Sequence, residues 1–253
     1  MVRIIIAQPD FMLGYLPLYI TKESYNFEIL NTGNDDSAIR AVVEKRADIS
    51  VSDPIMFSYV DYEQVRIVKA FINKPFLWLI TFNPFLKDIK NKTLVTFPEP
   101  STTYHFAKKL QKENKLKLFQ TSFNTELGPL LTQEADISLV NEPNFTQAMM
   151  NGAHLIESFI NKPFAFTGFC SEKNHETFFK ELERGIKIFY EDEEQTLKIA
   201  KKYFALKEEV LKKAIQNLRK ARIYNTEFTK QEIEEALKLK GIKYAEVKKY
   251  IKI

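Results

Sequence analysis

Three carboxylates, a run of hydroxyls and three large aromatic side chains are the parts of this 253-residue sequence with chemistry to offer. Ser101, Thr102 and Thr103 stand together at the head of a helix-periodic segment. A helix start leaves backbone N–H groups unpaired, and with the hydroxyls these could hold a carboxylate, sulfonate or phosphate. The same residues would also serve as a plain helix cap. Asp10, Asp53 and Glu142 fall at predicted strand ends, where a carboxylate could accept hydrogen bonds from an amine, an amidine or an aminopyrimidine. Each of them, Asp53 before Pro54 above all, would also suit loop solvation or capping of the next helix. Ser52 and Asn141 adjoin two of these carboxylates. Phe11, Tyr15 and Trp78 present faces for stacking on a planar ligand; Trp78, inside Phe76-Leu77-Trp78-Leu79-Ile80, equally fits a core strand.

Other chemistries find no matching residues. His105, His154 and His175 are scattered, without the paired spacing of a metal site, so no metal is expected. A single cysteine, Cys170, reads as a small buried apolar residue. The seven glycines build neither a GxGxxG nor a Walker loop, and no Gly-x-Ser-x-Gly elbow is present, so no cofactor is expected.

The elements that must position the candidate residues come in two copies. Phe71-Ile72-Asn73-Lys74-Pro75-Phe76 returns as Phe159-Ile160-Asn161-Lys162-Pro163-Phe164, and Ala47-Asp48-Ile49-Ser50 as Ala135-Asp136-Ile137-Ser138, all 88 residues on. Ile39, Val42 and Val43, apolar at helical spacing, become Leu127, Leu130 and Leu131. Asp53-Pro54 matches Glu142-Pro143 at 89, one residue out of step. Two αβαβ units with the same closing sequence predict two similar lobes, each a mostly parallel sheet with flanking helices. After about Glu176 the pattern is wholly helical, including the capping-box pair Thr229 and Glu232 and a stop at Gly241.

Composition sets the frame. With 45% hydrophobic and 28% charged residues the chain is globular, of one or two domains. Its net charge of +4 comes from the tail, where Lys and Glu mix along helical faces. That pattern is a solvated surface and not a nucleic-acid-binding one. No stretch approaches the apolar length of a membrane span, about 20 residues.

The order strand, loop, Gly14-Tyr15-Leu16-Pro17-Leu18-Tyr19-Ile20, then Ala47 to Pro54 after an amphipathic helix, resembles the first lobe of type II periplasmic solute-binding proteins. Within that family it looks like the ABC importer receptors for sulfonates, taurine, nitrate and pyrimidine precursors. Ser101-Thr102 and Ala135 to Pro143 carry the likeness into the second lobe, and Glu193 to Tyr203 carries it into the tail. The resemblance implies a two-lobed fold with two crossover hinge strands, Asn73 to Phe82 and Asn161 to Ser171, lying side by side. Residues 1–82 plus 168–253 would form the first lobe and residues 83–167 the second.

Ligands of open α/β sheets bind beyond the carboxyl ends of the strands. That rule puts Asp10, Phe11, Tyr15, Ser52, Asp53, Ser101, Thr102, Thr103, Asn141 and Glu142 around an interlobe cleft, with Trp78 on the hinge. The resemblance implies capture there of a small anionic or zwitterionic solute, with an ABC importer permease as partner if the chain is exported. No export signal or lipid-attachment cysteine precedes the first strand, so the expected location is cytoplasmic as written, or extracytoplasmic if a signal lies upstream. A cytoplasmic location would favour an enzyme on the same fold, such as a menaquinone-pathway dehydratase with Asp10 or Glu142 as base, or a ligand sensor. A thiamin-pyrimidine synthase is a further version of the enzyme, although its cysteine-rich iron motif is absent.

Overall fold

The computed structural model describes residues 4–9, 12–59, 64–99, 101–160, 162 and 166–251. Its first part alternates as the sequence predicts: β1 (Ile4–Gln8), α1 (Leu16–Lys22), β2 (Phe27–Asn31), α2 (Asp35–Val43), β3 (Ile49–Ser52), α3 (Met56–Tyr59) and β4 (Arg66–Ile72). After β5 (Trp78–Thr81) the order recurs as β6 (Thr93–Thr96), α4 (Thr102–Asn114), β7 (Lys117–Gln120), α5 (Gly128–Leu131), β8 (Ile137–Val140), α6 (Asn144–Met150) and β9 (His154–Ser158). β10 (Thr167–Ser171) returns the chain to the first sheet. Five helices follow: α7 (Glu176–Glu191), α8 (Glu193–Tyr203), α9 (Glu208–Ala221), α10 (Lys230–Leu239) and α11 (Tyr244–Val247).

Two five-stranded sheets result, in the orders β2-β1-β3-β10-β4 and β7-β6-β8-β5-β9. In each, four strands point one way. The fifth, β10 in the first sheet and β5 in the second, runs antiparallel to both of its neighbours. The two sheets are therefore copies, with the reversed strand of each supplied by the chain as it comes across from the other lobe.

This exchange corrects the boundary expected at Phe82. β5 pairs with β8 and β9, so the first crossing ends before Trp78 and the strand Trp78–Thr81 belongs to the second sheet. The crossings run side by side at both ends: Ile72 is opposite Thr167 in the first sheet, and Phe159 N–H donates to Leu77 O at 3.0 Å beside the second. The reversed strands themselves lie in different sheets. Asn161 and residues 163–165 of the second closing sequence fall outside the described residues.

The repeated Ala-Asp-Ile-Ser has a mechanical role. Asp48 Oδ2 accepts from Ile5 N–H and Asp136 Oδ2 from Thr93 N–H, both at 2.8 Å, which ties the third strand of each lobe to the first where it begins. Upstream, Ala47 N–H closes on Ala41 O and Ala135 N–H on Pro129 O. Lys45 and Gln133 take φ of 59° and 61° at the turn between. On the far side, Ser171 of β10 and Thr81 of β5 each donate a hydroxyl hydrogen bond of 2.8 Å to the carbonyl of the Asp in their own sheet.

The tail packs mostly on the first lobe. α7 buries Phe178, Phe179, Leu182 and Phe189 in the cluster that holds Leu16, Leu18 and Phe27. Gly185 lies so close to α1 that a Cβ there would stand 3.0 Å from Pro17 O. The chain between α9 and α10 also covers the edge of β4, where Ala70 N–H donates to Thr226 O and Asn225 N–H to Phe71 O.

Candidate functional site

Where the carboxyl ends of the two sheets face each other lies a cavity of about 110 Å³. A water occupies roughly 10–15 Å³ on the same scale, so the space holds several waters or a small solute. Its lining follows the repeat. Pro9 and Phe97, Tyr15 and Thr103, and Asp53 and Asn141 each stand 88 residues apart and each line it. Counted back from the second helix of each unit, Asp35 and Phe123 make a fourth such pair. The crossings supply Ile72, Pro75, Phe76 and Leu77 as the floor.

Of the residues expected at the cleft, Tyr15, Asp53, Ser101, Thr102, Thr103 and Asn141 line this cavity. Asp10 and Phe11 lie outside the described residues. Three others turn away. Ser52 is buried in β3, with its hydroxyl 3.3 Å from that of Ser50. Trp78 stacks on Phe145 at 4.4 Å and 8°, a core contact within the second lobe. Glu142 is buried against the tail, accepting from Thr146 Oγ1 at 2.9 Å and Asn217 Nδ2 at 2.7 Å.

The reason Glu142 turns away is one of register. β3 and β8 keep the 88-residue spacing to their ends, since Ala7 is opposite Ser50 and Val95 opposite Ser138. Asn141, not Glu142, is therefore the counterpart of Asp53, and the extra residue of the second copy comes after it.

Asp53 is the most heavily engaged group in the cleft. Its Oδ1 pairs with the ammonium of Lys240 and accepts from Ile55 N–H at 2.9 Å, and its Oδ2 accepts the Thr102 hydroxyl from the opposite lobe. Asp35, at the first turn of α2, accepts from Asp53 N–H at 2.9 Å. Burial and the neighbouring Asp53 carboxylate push Asp35 up to about 7, which favours its protonated form more than in an ordinary carboxyl. Ser101 caps α4 by accepting from Tyr104 N–H at 3.1 Å, which realises the capping alternative, while the residue also lines the cavity. Burial, with the Lys240 charge adding to it, holds His105 below its ordinary range. Burial raises the Cys170 thiol well above its usual range and leaves it inert as a nucleophile.

Sequence reasoning missed Asp35, Phe97, Phe123 and Lys240. The 88-residue spacing, carried from Pro9 and Asp35 into the second copy, would have found both phenylalanines. Asp35 is one of several polar residues around a helix start, and Lys240 is one of many lysines in the tail.

No protein-family model matches the sequence, and no curated protein does. Solved structures do match over nearly the full length. The alkanesulfonate-binding protein of Xanthomonas axonopodis pv. citri, bound to MOPS, superposes with a TM-score of 0.74 at 11% identity, covering 99% of this chain and 97% of that one. The periplasmic aliphatic sulphonate binding protein of Escherichia coli gives 0.76 at 10%, covering 99% and 92%. A Candida albicans gene product, described as defining a new family with the generic periplasmic binding protein fold, gives 0.72 at 12%, covering 100% and 96%.

This chain has the two-lobed periplasmic-binding-protein fold. At such identities the likeness speaks for the fold and leaves the ligand to the residues of the cleft. No helix among the described residues is long and apolar enough to cross a membrane.

Proposed function

We propose that the protein binds a small solute in the cavity between its lobes, as solute-binding receptors of this fold do. The observation that carries the reading is the lining itself, in which loops at equivalent places in both repeats converge on one space between the lobes. Tyr15, Phe76, Phe97 and Phe123 give that space flat apolar walls, and Ser101, Thr102, Thr103 and Asn141 give it hydrogen-bonding groups, the usual make-up of a small-molecule site. With Asp35 and Asp53 both present, a zwitterionic solute suits it better than a purely anionic one. Exported, such a receptor would deliver its solute to an ABC importer permease; retained in the cytoplasm, it would act as a sensor.

Thermal-shift screening of the full chain against amines, amidines, amino acids, aminopyrimidines and sulfonates tests this. A stabilising solute whose affinity falls at least tenfold in Asn141→Ala supports the reading. Failure of every class to stabilise the protein would sink it.

Asp35 favours a second reading. A cleft carboxyl titrating near 7 could act as a general base, as in a dehydratase. Turnover of a bound solute that disappears in Asp35→Asn, with binding retained, would establish it. Of the two bases expected from the sequence, Glu142 is committed to Thr146 and Asn217, and Asp10 lies outside the described residues.

A further inference from the structure

Lys240, the residue after α10, has a side chain that is 0% exposed, and its ammonium pairs with an Asp53 side chain that is 8% exposed. Burying two charges is costly before their attraction is counted, so such a pair persists only where the surroundings hold it in place. Here α10 does so. The Thr229–Glu232 capping box fixes its start, Asn73 of the first crossing donates to Glu232 at 2.9 Å, and Ile233, Ala236 and Leu237 are buried in the first lobe. Leu239 then packs against the apolar cluster of the second lobe. The helix thus straddles the cleft and delivers one lysine to it.

The delivery comes from outside. Asp53 and Thr102 line the inner cavity, whereas Lys240 lines an outer groove of about 910 Å³ between α4 and α10, together with Glu99, His105 and Glu235. Asp53, paired with Lys240, therefore stands between the groove and the cavity.

We propose that Asp53 is the docking point for the cationic group of a small amine- or amidine-bearing solute, and that Lys240 is an internal occupant of that point, displaced into the outer groove when the solute binds. The inference rests on the cleft being the solute site. Asp53 faces the cavity while its charge is satisfied from behind, so a ligand cation can take over the carboxylate without the lobes separating. Glu99 and Glu235 are acceptors at hand for the released ammonium, in a groove that five other lysines, Lys108 and Lys238 among them, also line. Among the described residues, an anion meets two acidic side chains and no free cation on the cavity wall. An internal competitor also lowers apparent affinity by the fraction of time that it vacates the point.

Isothermal titration with benzamidine, and with benzoate as its anionic counterpart, tests this on the wild type, Lys240→Met and the double variant Asp53→Asn/Lys240→Met. The double variant replaces the pair with neutral groups and leaves no buried charge behind. Benzamidine is expected to bind Lys240→Met at least about tenfold tighter than wild type, to lose its preference over benzoate in the double variant, and to leave benzoate the weaker ligand of the first two. Equal or weaker benzamidine binding in Lys240→Met, no binding there at all, or preference for benzoate would overturn the inference. If Lys240→Met does not fold, wild type and the double variant decide: benzamidine must bind the first and not the second. A library solute that binds wild type with an affinity unmoved by Lys240→Met defeats this inference alone. If no solute stabilises the wild type, the cleft reading itself fails.

Discussion

Two aspartates show what the repeat preserves at the scale of single residues. Asp48 and Asp136 make the same 2.8 Å hydrogen bond to the first strand of their own lobe, but Asp48 is half-buried and Asp136 exposed. Loss of a buried acceptor costs more than loss of a solvated one. Asp48→Ala is therefore expected to lower unfolding free energy by about 1–2 kcal/mol and Asp136→Ala by less, measured by urea denaturation. Asp35 gives a prediction in pH. Its folded value, about 7, lies above its ordinary carboxylate value of 3.8, so the folded state holds the proton that the unfolded chain releases. Its contribution to stability is intact below 3.8 and falls away as pH rises through 7. Asp35→Asn keeps an acceptor for Asp53 N–H and removes that loss. The melting temperature of the variant relative to wild type should rise between pH 5 and pH 8, and a flat difference would contradict the assignment.

Elements were legible in proportion to how local their causes are. The strand and helix order, the capping box at Thr229 and the stop at Gly241 follow from patterns within a few residues of each other. The paired closing sequences announced two lobes. What the pattern could not convey was which sheet a crossing strand would join, because β5 and β10 are both short buried strands and their sheets are alike. Nor could it show that the extra residue of the second copy follows Asn141, a choice fixed by strand register and one that turns Glu142 out of the cleft. Lys240 meets its partner across 187 residues, beyond any periodicity. The contact of α7 on α1 is likewise invisible in sequence, although Gly185 marks it. Gly185→Ala would set a methyl group 3.0 Å from the backbone oxygen of Pro17 and against the Thr21 hydroxyl, with no room for either helix to yield freely. A loss of about 1–3 kcal/mol is expected from such overpacking, read by thermal or urea unfolding.

At the scale of the molecule, the lobes are joined by more than their two crossings. On one side Asp53 accepts from Thr102 and Lys240; on the other Asn217 of α9 donates to Glu142 and lies 3.3 Å from Thr146 Oγ1 of α6. The tail supplies one partner in each set, so helices that look like ornament on the first lobe set how closely the second approaches it. Removing the Asn217 contact should loosen that approach without touching the cavity wall. Asn217→Ala is expected to enlarge the radius of gyration of the ligand-free protein in small-angle scattering, and an unchanged radius would mean the crossings alone fix the lobes. The central claim is that the solute lies between the lobes, against residues that the repeat places in equivalent positions. Its most direct test is calorimetric titration of a stabilising solute into wild type and into Asn141→Ala. The account predicts an affinity at least tenfold weaker in the variant at an unchanged melting temperature; equal affinity in the two proteins would contradict it.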